Sequence, residues 1–232
     1  NGARYRAALR PETIEDSLHI KQIGDKSELK PMTQHPITVT DRVRALTGNL
    51  MNRIGTILYH MGVHPDMITV LGLVLVLVAA VVIASGELRI GGVILLLGLP
   101  LDAVDGAVAR AMKRKDRFGE MLDSSLDRYA DGLIFASLSY HFAVQDDFRL
   151  LVLALAALLG SFMVSYARAR GEGVGVIVKI GLLSRFERVA IILGMLLAPS
   201  IFGVPVLEIG LWILAIGTNF TGLQRIWYVY KT

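Results

Sequence analysis

Hydrophobic residues in this chain gather in long uncharged runs rather than in short periodic patches. Residues 67–84, between Asp66 and Glu87, carry no charge, and neither do 150–167, between Arg149 and Arg168. Residues 189–207, between Arg188 and Glu208, and 209–224 behave the same way. A helix crossing a bilayer needs about 20 mostly apolar residues, so each run reads as a transmembrane helix. Two further runs are apolar at one end only. Residues 90–101 lead into Asp102 and Asp105, and 132–145 follow Asp123, Asp127 and Asp131. The pattern predicts an all-α integral membrane fold of six transmembrane helices, two of them with polar inner ends.

Upstream the pattern changes. Across residues 41–63, Leu46, Leu50, Ile54, Ile57, Leu58 and Met61 fall on one helical face, with Arg42, Asn49, Arg53 and Thr56 away from it. This predicts an amphipathic helix, lying at the cytoplasmic membrane surface or packed on the bundle; the two are not exclusive. Residues 1–40 are polar, proline-punctuated and aperiodic, and begin at Asn rather than Met. They read as a separate arm, processed or joined from elsewhere, without the apolar core of a signal peptide. The chain thus divides into 1–40, 41–63 and a membrane domain over 64–232.

Composition narrows the chemistry. The 232 residues are 53% hydrophobic and 19% charged, with a net charge of +4 and no cysteine. That balance argues against a disordered chain, a nucleic-acid-binding tail and a disulfide-stapled module, and the lack of cysteine removes thiol catalysis and thiolate metal sites. His19, His35, His60, His64 and His141 show no paired spacing for a metal. The basic residues are one-sided. Arg110, Lys113, Arg114, Lys115 and Arg117 follow the second run, and Arg168, Arg170, Lys179, Arg185 and Arg188 follow the fourth, against Arg89 and Arg149 opposite. Positive loops stay inside, which predicts both termini and the aspartate cluster on the cytoplasmic side.

The aspartates are the most informative feature. Residues three and four apart share a helix face, so Asp102, Asp105, Gly106 and Ala109 form one stripe, and Gly119, Asp123 and Asp127 another. A short connection makes the two helices antiparallel neighbours, bringing four carboxylates together. Unpaired at membrane depth, they would cost several kcal/mol. Oxygen-only ligands favour Mg²⁺, Mn²⁺ or Ca²⁺ over zinc, and a pair of such ions suits phosphoryl chemistry. Gly106 and Ala109 leave room for a ligand, and Arg110 can pair with a phosphate. Two other readings exist: aspartates neutralised by the loop lysines and arginines, or a divalent-cation transporter. A transporter does not explain Arg110, which would repel a cation.

The spacing D-x2-D-G-x2-A-R-x8-G-x3-D-x3-D, filled at all eight fixed positions from Asp102 to Asp127, resembles the signature of the CDP-alcohol phosphotransferases. The resemblance runs from about Thr47 to the C-terminus. It implies transfer of a phospho-alcohol from a CDP-linked donor to an acceptor hydroxyl, with release of CMP. It further implies two Mg²⁺ or Mn²⁺ ions on Asp102, Asp105, Asp123 and Asp127, with Asp127 also the general base. Gly106, Ala109, Arg110 and Gly119 would face the nucleotide end of the donor. The stretch His64-Pro65-Asp66-Met67-Ile68-Thr69 resembles the family's entry to its first span, where Asp66, in place of the common Asn, and Thr69 would help hold the nucleotide.

The second basic loop resembles the phosphatidylinositol-phosphate synthase branch. Ser165-Tyr-Ala-Arg168-Ala-Arg170-Gly-Glu172 and Ser184-Arg185-Phe-Glu187-Arg188 match its arginine-rich segments, except that Ser184 replaces a Glu. The likeness implies CDP-diacylglycerol or its ether-lipid equivalent as donor and inositol 1-phosphate as acceptor, with Arg168, Arg170, Arg185 and Arg188 around the acceptor phosphate. Glycerol 3-phosphate would use the same arginines. Alternatively they serve only topology or anionic lipid headgroups. Asp131, one turn beyond Asp127, reads as paired rather than as a ligand. The likeness also implies a homodimer.

Overall fold

A computed structural model describes residues 39–112, 117–198 and 205–232, and all regular structure among them is helical. The helices are α1 (Val39–His60), α2 (Pro65–Ala84), α3 (Leu88–Ala111), α4 (Arg117–Val144), α5 (Phe148–Gly173), α6 (Arg185–Leu197) and α7 (Val206–Lys231). The arm expected over 1–40 lies outside the described residues, apart from its last two positions at the start of α1.

Local chemistry sets several boundaries. Pro65 opens α2, where a missing N–H costs nothing, after His64 in extended conformation. The Asp147 carboxylate caps α5 by accepting from the Leu150 N–H at 3.0 Å. The run 189–207 does not form one helix. Helix α6 stops at Leu197, because Ala198 precedes Pro199 and is held extended at ψ 127°.

Among the described residues three helices, α2, α5 and α7, are long and apolar enough to cross a membrane, as expected of a membrane protein. Among the described residues, Leu88–Gly98 of α3 forms a shorter apolar helical stretch, and α6 has 13 residues. Outward-facing Leu71, Val74, Val81, Val152, Leu159, Ile216 and Leu223 are exposed, as lipid-facing side chains are. Helix α2 packs on α3 and α4, α4 on α5, α5 on α7, and α6 bridges α3 and α7. The core between them contains Ile83, Phe135, Leu138, Phe142, Ala157, Ile192 and Leu214.

Close approach of α5 and α7 depends on Gly160. A Cβ there would stand 2.0 Å from the Thr218 hydroxyl oxygen, whereas one at Gly194 meets nothing within 4 Å. Gly160→Ala should therefore cost about 1–3 kcal/mol through overpacking. Thermal unfolding in detergent checks this, with Gly194→Ala expected to show no comparable loss.

Helix α1 uses two stripes. Met51, Ile54 and Leu58 pack against Ile68, Val104 and Val108, and Gly55 sits so close that a Cβ would lie 2.6 Å from the Ala107 backbone. Leu50, Ile57 and Met61, from the predicted apolar face, are exposed. The side chains of Arg42, Leu46 and Asn49 lie outside the described residues.

Candidate active site

The acidic stripes lie on the last turns of α3 and the first half of α4. Asp105 is buried, and a buried carboxylate needs hydrogen-bond donors. Thr69, in the second turn of α2, donates its hydroxyl to Asp105 Oδ2 at 2.7 Å. The Thr69 hydroxyl also lies 3.2 Å from the Pro65 carbonyl of its own helix, which holds the side chain in place.

On α4, two aspartates one turn apart meet two arginines from the first turn of α6. Asp127 Oδ1 pairs with Arg185 Nη1 at 2.5 Å, and its Oδ2 lies 3.7 Å from Arg128 Nη1. Asp131 Oδ2 accepts from Arg188 Nη2 at 2.9 Å. The spacing i, i+4 on α4 and i, i+3 on α6 makes these two rungs of one ladder. Their surroundings differ. Side-chain exposure is 14% for Asp127 and 31% for Arg185, against 4% and 2% for Asp131 and Arg188. The first rung is open to exchange partners, and the second is sealed.

A cavity of about 80 Å³ lies among α2, α3, α4 and α6. Thr69, Asp105, Asp127, Asp131 and Arg185 line its polar end, and Leu73, Val76, Leu95, Ile192 and Leu193 its apolar end. Its lining thus combines carboxylate, hydroxyl and guanidinium groups with aliphatic side chains.

The other expected site residues are placed as follows. Asp102 lies within α3, its side chain outside the described residues. Asp123 is half-buried on α4 one turn before Asp127, and Gly119 is half-buried in the first turn. Gly106 and Ala109 are half-buried; a Cβ on Gly106 would come 3.4 Å from Arg110 Nη1, an ordinary contact with a flexible side chain. Arg110 is exposed and reaches Asn52 of α1 at 3.4 Å. Asp66 pairs with His64 at 3.4 Å at the start of α2.

Among the described residues no three acidic or histidine side chains stand close enough to share a metal ion. Asp102, whose side chain lies outside the described residues, is not among these; Asp127 pairs with Arg185, and Asp105 with Thr69. The donor chemistry still fits a hard divalent cation, because Asp105, Asp123, Asp127 and Thr69 offer carboxylate and hydroxyl oxygens only.

The structure does not gather the four acceptor arginines around one point. Arg185 lines the cavity, and Arg188 is buried against Asp131. Arg168 and Arg170 are exposed at the end of α5, where Arg168 pairs with Glu172 at 3.0 Å. Two arginines missed from the sequence stand nearby. Arg128 donates to the Ser165 hydroxyl at 3.0 Å and to the Ser124 carbonyl. Arg225 is buried in α7 between the Val164 and Ile180 carbonyls. A lone arginine following an apolar run was the available signal, since ionisable residues near membrane depth are seldom idle.

The sequence model of the CDP-alcohol phosphatidyltransferase family matches residues 62–222. The phosphatidylinositol phosphate synthase of Streptomyces avermitilis is 37% identical over 192 residues, covering 79% of each chain. The archaetidylinositol phosphate synthase of Pyrococcus horikoshii is 34% identical over 192 residues, covering 82% of this chain and 96% of that one. Among solved structures, the Mycobacterium tuberculosis phosphatidylinositol phosphate synthase with CDP-DAG bound superposes with a TM-score of 0.73 at 31% identity, covering 78% of this chain and 94% of that one. The same protein in complex with manganese and citrate gives a TM-score of 0.72 at 31% identity, covering 78% and 88%.

Proposed function

The chain belongs to the CDP-alcohol phosphotransferase family, and from that premise we propose that it transfers the phosphatidyl group of CDP-diacylglycerol, or its ether-lipid equivalent, to a hydroxyl of inositol 1-phosphate. The acceptor oxygen forms a bond to the lipid-bearing phosphorus, the pyrophosphate bond breaks, CMP leaves, and the hydroxyl proton passes to a base. One observation carries the reading: Asp105, Asp127 and Arg185 converge at the polar end of a cleft whose other end is apolar. A lipid donor reaches such a place from the bilayer, and a polar acceptor reaches it from water.

Asp127 is the proposed base, placed where an anionic acceptor drawn to Arg185 would present its hydroxyl. Asp102, Asp105, Asp123 and Asp127 would hold two Mg²⁺ or Mn²⁺ ions, which neutralise charge on the pyrophosphate when bound. Thr69 orients Asp105 by its hydrogen bond, while Asp66, Gly106, Ala109, Arg110 and Gly119 serve the nucleotide end of the donor. Arg185 takes the acceptor phosphate, with Arg168 and Arg170 as outer guides. We place residues 64–232 in the membrane as six spans, with the site and both termini cytoplasmic, following the basic loops. Exposed Leu50 and Ile57 of α1, with Met61 just beyond it, then rest on the membrane surface, while the other stripe of α1 packs on the bundle.

An acceptor panel with labelled CDP-diacylglycerol and Mg²⁺ tests the assignment. CMP release should be at least about tenfold faster with inositol 1-phosphate than with glycerol 3-phosphate, serine or inositol. Faster release with glycerol 3-phosphate would reassign the acceptor. No CMP from any acceptor, together with cation flux into liposomes, would overturn the enzyme reading.

A further inference from the structure

Residues 174–184, between α5 and α6, contain no helix or strand, yet they are fastened along one face of α7. Gly217, Thr221 and Arg225, spaced four apart, form that face. A Cβ on Gly217 would stand 2.5 Å from Leu183 Cδ1, so the bare glycine lets the segment lie close. The Thr221 hydroxyl accepts from the Leu183 N–H at 3.1 Å and donates to the Gly217 carbonyl at 2.7 Å. Arg225 Nε donates to the Ile180 carbonyl at 2.8 Å, and its Nη1 donates to the Val164 carbonyl of α5 at 2.7 Å.

Gly181 lies between these anchor points with φ +137°, and a Cβ on it would come 2.5 Å from Thr221 Cγ2. The segment therefore has one residue that only glycine fits, set against the threonine that holds its neighbour. Val178 is fully buried, closing the segment's other side against Gly171.

Arg225 is 6% exposed, and burying a guanidinium is costly unless it is well bonded. Gly160 and Gly222 provide the close approach of α5 on α7. What Arg225 adds is a tie between two strands of chain that both lead to arginines. Val164 stands one turn before Arg168, and Ile180 stands five residues before Arg185. Arg168 and Arg188 are also near enough to Arg225 to interact with its charge.

We infer that the Thr221–Arg225 face of α7 is a positioning element for the acceptor side of the site. It fixes the register of Ile180–Leu183, and thereby the point at which Arg185 enters the cavity opposite Asp127. Neither residue touches substrate. The inference rests on the proposed reading of Arg185 as the acceptor-phosphate ligand, and on nothing about the donor.

The test uses the full chain in detergent or nanodiscs, with KM measured separately for inositol 1-phosphate and CDP-diacylglycerol. Thr221→Val keeps the shape of the side chain and deletes the acceptor for Leu183; it should raise the acceptor KM about tenfold, the worth of one hydrogen bond. Arg225→Met should raise it further, and Arg225→Lys, retaining one donor, should fall between. Donor KM and Mn²⁺ affinity without acceptor should stay within about twofold of the parent. A role in stability alone would instead lower the melting temperature and kcat without separating the two KM values. That outcome, or an unchanged acceptor KM in Thr221→Val, overturns the inference; Thr221→Val decides the matter if Arg225→Met fails to fold. Arg185→Ala separates the two levels. If it leaves the acceptor KM unchanged, the reading of Arg185 fails and takes this inference with it; if it raises KM while Thr221→Val does not, only the positioning role fails.

Discussion

Asp127→Asn should release CMP roughly 10³-fold more slowly than the parent, while binding CDP-diacylglycerol nearly as well. Asparagine keeps the size and hydrogen-bonding shape of the side chain but cannot take up the acceptor's proton. Two neighbouring carboxylates are already engaged. Asp131, one turn away, lines the same cavity, yet its carboxylate is bonded to Arg188 with only 4% of the side chain exposed. Asp105 is buried and accepts from Thr69. Asp127 combines access to the cavity with a neighbouring cation, Arg185, that can hold an anionic acceptor beside it. The measurement is labelled CMP release at saturating acceptor, with donor binding and melting temperature recorded on the same preparation. Near-parental turnover in a well-folded variant would remove Asp127 from the role of base. Loss of donor binding along with turnover would instead assign its main effect to the pyrophosphate side.

The membrane helices were legible because lipid leaves a plain mark on sequence: long uncharged runs with charges only at their ends. The run 189–207 misled because apolar character says nothing about backbone continuity, and Ala198 before Pro199 ended the helix within it. The aspartate stripes were legible because helical spacing converts sequence distance directly into a shared face. The arginines were not, and Arg185 and Arg188 show why. They are three residues apart on one helix, a rise of roughly 4.5 Å, and by sequence they are interchangeable. That small step takes one from the cavity wall to a sealed core, a difference in depth that spacing does not encode. Around α1, hydrophobicity pointed to Ile54 and Leu58, which do pack, and equally to Leu50, Ile57 and Met61, which do not; the packed stripe centres on Gly55, whose value is the side chain it lacks.

The second large effect concerns that sealed rung. Arg188→Met should destabilise the protein by about 3–5 kcal/mol, because it strands the Asp131 carboxylate without its buried partner. Asp131→Leu should do the same in reverse, leaving the buried Arg188 guanidinium near Arg128 and Arg185 without a carboxylate of its own. The double variant Asp131→Leu/Arg188→Met removes both charges and should recover most of the loss, since a buried ion pair replaced by apolar side chains is often neutral in stability. Thermal unfolding of the four proteins closes the cycle. Kinetics on the double variant then separate two roles for Arg188. If its acceptor KM matches that of the parent, Arg188 is a strut joining α6 to α4, and its place in the arginine-rich motif reflects support for Arg185. If the double variant is stable but its acceptor KM rises tenfold or more, about 1.4 kcal/mol of acceptor binding is missing. Arg188 must then leave Asp131 for the acceptor phosphate during turnover, and the sealed rung would be one state of a pair that exchanges partners.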